Sequence, residues 1–145
     1  MGPGIDTLGL TRKVDSGKVS DLGKRIGIKE EFLDIISCEL MSNPVTVSSG
    51  QTYEKSQIVN WCGVKGSHDP VNGEKIFIDT QEGFKTNVVL KKRIEDYLVE
   101  LRREELNSSK ELKGLVYGWI FKRGRASLAG DPQLKKIVEV YDSSC

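Results

Sequence analysis

Three widely spaced cysteines, Cys38, Cys62 and Cys145, and one histidine, His68, are the whole supply of thiol and imidazole ligands in the chain. An odd number at this spacing fits no disulfide framework. Tetrahedral zinc takes four ligands, usually Cys and His in close pairs such as CxxC, and no such pair is present. Any small domain in this sequence must therefore hold its loops without a disulfide or a structural metal, although domains of that size normally rely on one. No cofactor is expected. At 145 residues there is room for one domain with a modest core, or for a domain of about 70 residues with appended arms. The uneven texture of the chain favours the second.

Charge excludes one broad class of partner. Lys and Arg number 22 against 21 Asp and Glu, a formal net charge of +1. No field of one sign gathers nucleic acid along the whole surface, so binding rests on local shape. No apolar stretch approaches the roughly 18 to 20 residues of a membrane span, and the start, Met1-Gly2-Pro3-Gly4, lacks the basic and apolar regions of a signal peptide. The expectation is a soluble, cytoplasmic protein.

Residues 1–30 are rich in glycine, with scattered Ile, Leu and Val that define no buried face. They read as a flexible arm lending one short helix around Val19 to Ile26. From Glu31 the texture changes. Phe32, Leu33, Ile35 and Ile36 form an apolar run too short for a helix, followed by Cys38 to Met41 and the turn signal Ser42-Asn43-Pro44. In the next segment Val45 and Val47 alternate with Thr46 and Ser48, Ser49-Gly50 supplies a turn, and Thr52-Tyr53 starts a return strand. Ser56 to Cys62 reads as a short helix stopped by Gly63 and Gly66. A loop through His68, Asp69 and Gly73 follows, then a third short strand at Ile76-Phe77-Ile78 and a turn at Asp79 to Gly83.

Leu90, Ile94, Tyr97, Leu98 and Leu101 form the clearest stripe of helical period, with Asn87 placed to cap its start. The opposite face, from Lys91 to Arg103, is charged and reads as solvated. Two more amphipathic helices follow, one through Leu112, Leu115, Val116, Trp119 and Ile120, the other through Leu134, Ile137, Val138 and Tyr141. The alternation of hairpin, short helix, strand and long helix within about 75 residues gives the fold class α+β. The expected organisation is an arm over 1–30, a small domain over 31–106, and a helical extension over 107–145 or the start of a further region.

Residues 31–98 resemble the U-box family, the zinc-free relatives of RING domains in ubiquitin ligation. The residues that carry the resemblance are Glu31-Phe32, Ile36-Ser37, Glu39, Met41, Asn43-Pro44-Val45, Gly50, Thr52 through Ser56, Ile58 and Trp61; after a gap come Asp69-Pro70-Val71, Gly73, Asn87, Leu90-Lys91 and Ile94. The resemblance implies a ligase that forms no bond to ubiquitin, has no catalytic residue in the usual sense, and orients the thioester of a bound ubiquitin-conjugating enzyme for attack by a lysine of a protein substrate. It implies a docking groove of Ile36, Cys38, Trp61 and Pro70. It also implies a polar network in place of zinc, for which Ser37, Glu39, Ser49, Thr52, Glu54, Lys55, Asp69 and Asn72 supply donors and acceptors.

The chain departs from the family pattern in several places. Cys38 stands where a larger side chain is common, Asp34-Ile35 replaces a usual Cys-Pro, and Thr86 replaces a proline. Many active members carry a basic residue after the second-loop proline that touches ubiquitin. Here Gly73 stands in that region, with Lys75 two residues on. These departures leave a catalytically weak or inactive interaction module as the alternative reading. They also fit an origin among the effectors that bacterial pathogens inject into host cells, in which case the location is the host cytoplasm. A cysteine enzyme built on Cys62 and His68 is disfavoured, since nothing marks a further partner or an oxyanion hole. For the extension, a partner- or lipid-binding helix built on Leu115, Trp119 and Phe121 with Lys122, Arg123 and Arg125 competes with plain packing, which is favoured.

Overall fold

The computed structural model describes residues 14–76 and 84–144. Alternation of apolar and polar side chains between Val45 and Ser48 suits a strand with one buried face, and a hairpin forms there. Strand β1 (Pro44–Thr46) pairs antiparallel with β2 (Thr52–Glu54), Val45 opposite Tyr53. Gly50 turns the chain at φ +94°, a conformation that favours glycine. Among the described residues the third strand of the sheet lies further along the chain than Ile76. It is β3 (Lys85–Thr86), antiparallel to the other edge of β1, so the sheet order is β2-β1-β3. Ile76 is buried outside any strand, and Phe77, Ile78 and the turn at 79–83 lie outside the described residues.

Helix α1 (Gly17–Ile26) begins with Gly17 N–H donating to the Asp15 carboxylate (2.8 Å) and ends at Gly27, φ +76°. Although it belongs to the segment read as an arm, it sends Val19 into the core, with Ile28 just beyond it. A single 3-10 turn, Glu30–Phe32, then leads into the first loop. Helix α2 (Lys55–Lys65) runs three residues past the expected end. Gly63 sits inside it, at a cost of about 1 kcal/mol relative to Ala, and Gly66 at φ +94° ends it. Helix α3 (Val88–Glu100) starts where Asn87 Oδ1 accepts Leu90 N–H (3.0 Å), and Asn87 N–H donates to Pro44 O (2.8 Å), tying the helix start to β1.

Beyond α3 come a short helix α4 (Arg103–Asn107), then α5 (Lys110–Arg123), α6 (Arg125–Ala129) and α7 (Pro132–Ser143). Ser109 caps α5, and Asp131 with Pro132 starts α7. Two apolar clusters result. The smaller lies under the sheet and α2 and is built on Val45, Tyr53, Ile58 and Ile76. The larger joins α1, the first loop and α3 to the helices that follow, through Leu33, Ile94, Leu98, Val116, Trp119 and Leu128. The extension therefore supplies a large share of the main core. No described helix is long and apolar enough to cross a membrane.

Candidate functional site

Three buried carboxylates organise the two loops that flank the hairpin and α2. Asp34 is wholly buried and accepts the N–H and hydroxyl of Ser37 (2.8 Å each) and the N–H of Glu54 (2.9 Å). Its own N–H donates to Glu39 O and its carbonyl accepts Cys38 N–H (2.7 Å each), which folds residues 34–39 into a tight turn. Burial pushes the Asp34 carboxyl above its ordinary value, against those donors. Glu54, 2% exposed, accepts the N–H and hydroxyl of Ser42 (3.0 Å each), the N–H of Asn43 (2.7 Å) and Lys122 Nζ (3.2 Å). Burial acts to raise its pKa, but the Ser42 and Asn43 N–H groups and Lys122 outweigh it and hold it below the ordinary value.

The second loop, residues 66–75, hangs on Asp69, also 2% exposed. Its carboxylate accepts the hydroxyls of Ser49 and Tyr53 and the N–H groups of Val71 (2.8 Å) and Asn72 (3.2 Å). Burial again acts to raise the carboxyl, and those donors together hold it below its ordinary value. Burial, then the bond to Asp69, pushes the Tyr53 hydroxyl up, so it stays a donor. Buried carboxylates with several donors each thus cross-link the two loops to the hairpin. Among the described residues no group of His, Cys, Asp and Glu could hold a metal ion.

Of the other residues assigned to the network, Glu39 lies 3.7 Å from Lys122 Nζ. Asn72 Oδ1 accepts Glu74 N–H (2.8 Å). Thr52 instead bonds Thr46 across the hairpin (3.0 Å), and the Lys55 side chain is exposed, its backbone N–H donating to Asn43 O (3.0 Å). Asp34, Ser42, Tyr53 and Lys122 belong to the network but not to the expected set. A carboxylate at the usual Cys-Pro position was the signal for Asp34.

Of the expected docking residues, Cys38 packs against the larger cluster, whereas Ile36 and Trp61 lie at the edge of the smaller one, half-buried against it. Trp61 Nε1–H donates to His68 O (3.0 Å), fastening α2 to the second loop, and Lys65 Nζ lies 5.9 Å from the ring centroid. Cys38 sits in the first loop at φ +60°, uncommon for a residue with a Cβ. Val64, one turn beyond Trp61 and 68% exposed, prolongs the apolar strip along α2; the i, i+3 spacing was its signal. Pro70 differs from the exposed anchor expected of it. It is buried, and Val14 N–H donates to its carbonyl (2.7 Å), so residues just before α1 run past this part of the groove.

The region around Gly73 has a backbone reason for its departure from the family pattern. Gly73 adopts φ +77°, where any other side chain is strained, and its N–H donates to Asp69 O (2.8 Å). Lys75 is exposed and forms a bridge with His68. Burial pushes the thiols of Cys38 and Cys62 up, the opposite of what a nucleophile requires.

The extension does not carry the surface sketched for it. Trp119 is 1% exposed, while Lys122, Arg123 and Arg125 pair with Glu54, Glu95 and Asp142. Phe121, 77% exposed, and Tyr117 remain outward beside an open groove with Gly114 and Gly118.

A U-box domain model matches residues 28–104, more than half of the chain. The human WD repeat, SAM and U-box domain-containing protein 1 is 38% identical over 72 residues, 46% of this chain and 15% of that protein. U-box domain-containing protein 10 of Arabidopsis thaliana is 46% identical over 56 residues, 37% of this chain and 8% of that protein. A protein of Acanthamoeba polyphaga mimivirus named "Probable bifunctional E2/E3 enzyme" is 43% identical over 68 residues, 47% of this chain and 5% of its own length. The chain thus spans a small fraction of these relatives. With a hairpin, a central helix and two loops tied by buried carboxylates, under a family model that matches residues 28–104, the chain belongs to the U-box family.

Proposed function

We propose that the chain is a ubiquitin ligase that docks a charged ubiquitin-conjugating enzyme on Ile36, Cys38, Trp61 and the second loop. It would promote transfer of ubiquitin to a substrate lysine without a covalent intermediate of its own. The observation that carries this reading is the apolar edge formed by half-buried Ile36 and Trp61, with both flanking loops fixed by buried carboxylates beneath it. A groove of a few semi-exposed apolar anchors on a rigid frame concentrates docking energy in those residues. Holding a thioester in one conformation then raises its rate by orientation alone. Neither Cys38 nor Cys62 is activated, which supports a ligase without an intermediate on either of them.

Weak activity or none, with the fold serving as an interaction module, is the second reading. It is favoured specifically by the positive φ of Gly73 and by the Val14 segment beside Pro70. Titrating conjugating enzymes into the isotope-labelled chain separates the docking reading from its failure. Docking predicts resonance shifts at Ile36, Cys38 and the Trp61 indole N–H that Ile36→Ala abolishes while the rest of the spectrum stays folded. Unperturbed resonances across a broad panel of enzymes would reject it.

A further inference from the structure

We propose that Lys122, on α5 and outside the segment matched by the family model, is a positioning residue that holds the first docking loop in its binding shape. The inference rests on the docking reading above. An ammonium group has three donor directions and no acceptor. The three oxygens around Lys122 Nζ all belong to the loop or to the carboxylate that closes it. They are Glu54 Oε2 at 3.2 Å, Leu40 O at 3.4 Å and Glu39 Oε1 at 3.7 Å. Glu54 in turn accepts Ser42 and Asn43, so a single cation links the loop's interior at 39–40 to its exit at 42–43. Ile36 and Cys38 are carried by the same loop, whose start is held by Asp34.

The geometry of the ammonium is set from far away. Trp119 and Ile120, just before it on α5, are 1% and 3% exposed in the core shared with α3. Lys122 itself keeps 23% of its side chain exposed, while Glu54 keeps 2%. A cation opposite three neutral donors adds to what keeps a buried carboxylate ionised and fixes its position. Lys122 fills that role, much as a metal would, but it is supplied by a helix that comes 68 residues later. The helical extension is on this account part of the docking apparatus, and the position of α5 sets how Ile36 and Cys38 are presented.

The test uses the full chain as wild type, Lys122→Gln and Lys122→Arg, with Leu134→Ala as a control that loosens the core at α7 away from the loop. Two quantities are read. One is exchange protection of the Ser42 and Asn43 amides, and the other is the dissociation constant for a conjugating enzyme. Loss of one charge-assisted hydrogen-bonding group predicts a rise of about tenfold in both the exchange rates and the constant for Lys122→Gln. The Ile94 amide should be unchanged, and Lys122→Arg should recover most of the loss. Leu134→Ala should lower the melting temperature without singling out the loop amides. Wild-type protection and affinity in Lys122→Gln would overturn the proposal, as would equal defects in Lys122→Arg or in a stability-matched Leu134→Ala. If the wild type docks no enzyme, the reading beneath fails instead, and the amide exchange still decides whether Lys122 holds the loop.

Discussion

Asp69 collects four donors from the hairpin and the second loop on one buried carboxylate. Removing it leaves the Tyr53 hydroxyl and two N–H groups without a partner in the interior, which costs about 3 kcal/mol. Asp69→Ala should show that loss in urea unfolding, with the second loop the first region to lose exchange protection. Acid acts on the same groups. Glu54 and Asp69 both ionise below their ordinary values, so the stability they contribute is present above the usual carboxylate range and is lost as pH falls through their lowered values. Asp34, raised by burial, has the opposite sign and takes up its proton first, so it works against the two lowered groups. The unfolding free energy should accordingly fall below pH about 4, and in Asp69→Asn it should fall less steeply. Sequence reading singled out Glu54 and Asp69 as polar residues of the loops. It left out Tyr53, which reads as a strand aromatic, and Lys122, which reads as surface charge, because a hub is defined by partners that only the folded chain brings together.

At the level of elements, the hairpin, α3 and the cap at Asn87 were legible because period and end signals are local. β3 was not, since a strand of two residues has no period and owes its existence to pairing with β1. The stripes on α5 and α7 announced a buried face without saying what would bury it; α3 does, together with α1 and the first loop. Two expectations belong here. Deleting residues 1–14 keeps the bond from Gly17 N–H to Asp15 but removes the Val14 bond to Pro70. Conjugating-enzyme affinity should then rise about threefold to tenfold, the factor by which a partly closed site is depopulated; an unchanged constant in calorimetry would show that this segment does not obstruct the groove. Trp119→Ala empties a site that is 1% exposed at the centre of the shared core. It should cost about 3 to 5 kcal/mol in denaturant unfolding, whereas Phe121→Ala, at an outward position, should cost little.

For the molecule as a whole, the family frame could be read from the order of its residues, but the boundary of the folded unit could not. Residues from α1 to α7 contribute to one larger apolar cluster, and Lys122 ties α5 to the first loop. The described chain should therefore unfold in one cooperative transition, with the same midpoint by far-ultraviolet circular dichroism and by tryptophan fluorescence. Trp61 and Trp119 report on the smaller and the larger cluster respectively. Two separated midpoints would instead mark the extension as an independent domain.

If this surface presents a charged conjugating enzyme for ubiquitin transfer, the purified chain should speed discharge of the ubiquitin thioester to free lysine. Discharge should be faster with at least one conjugating enzyme and reduced about tenfold or more by Ile36→Ala, at an unchanged melting temperature. Discharge no faster than without the chain across a broad panel, or full stimulation by Ile36→Ala, would contradict that role.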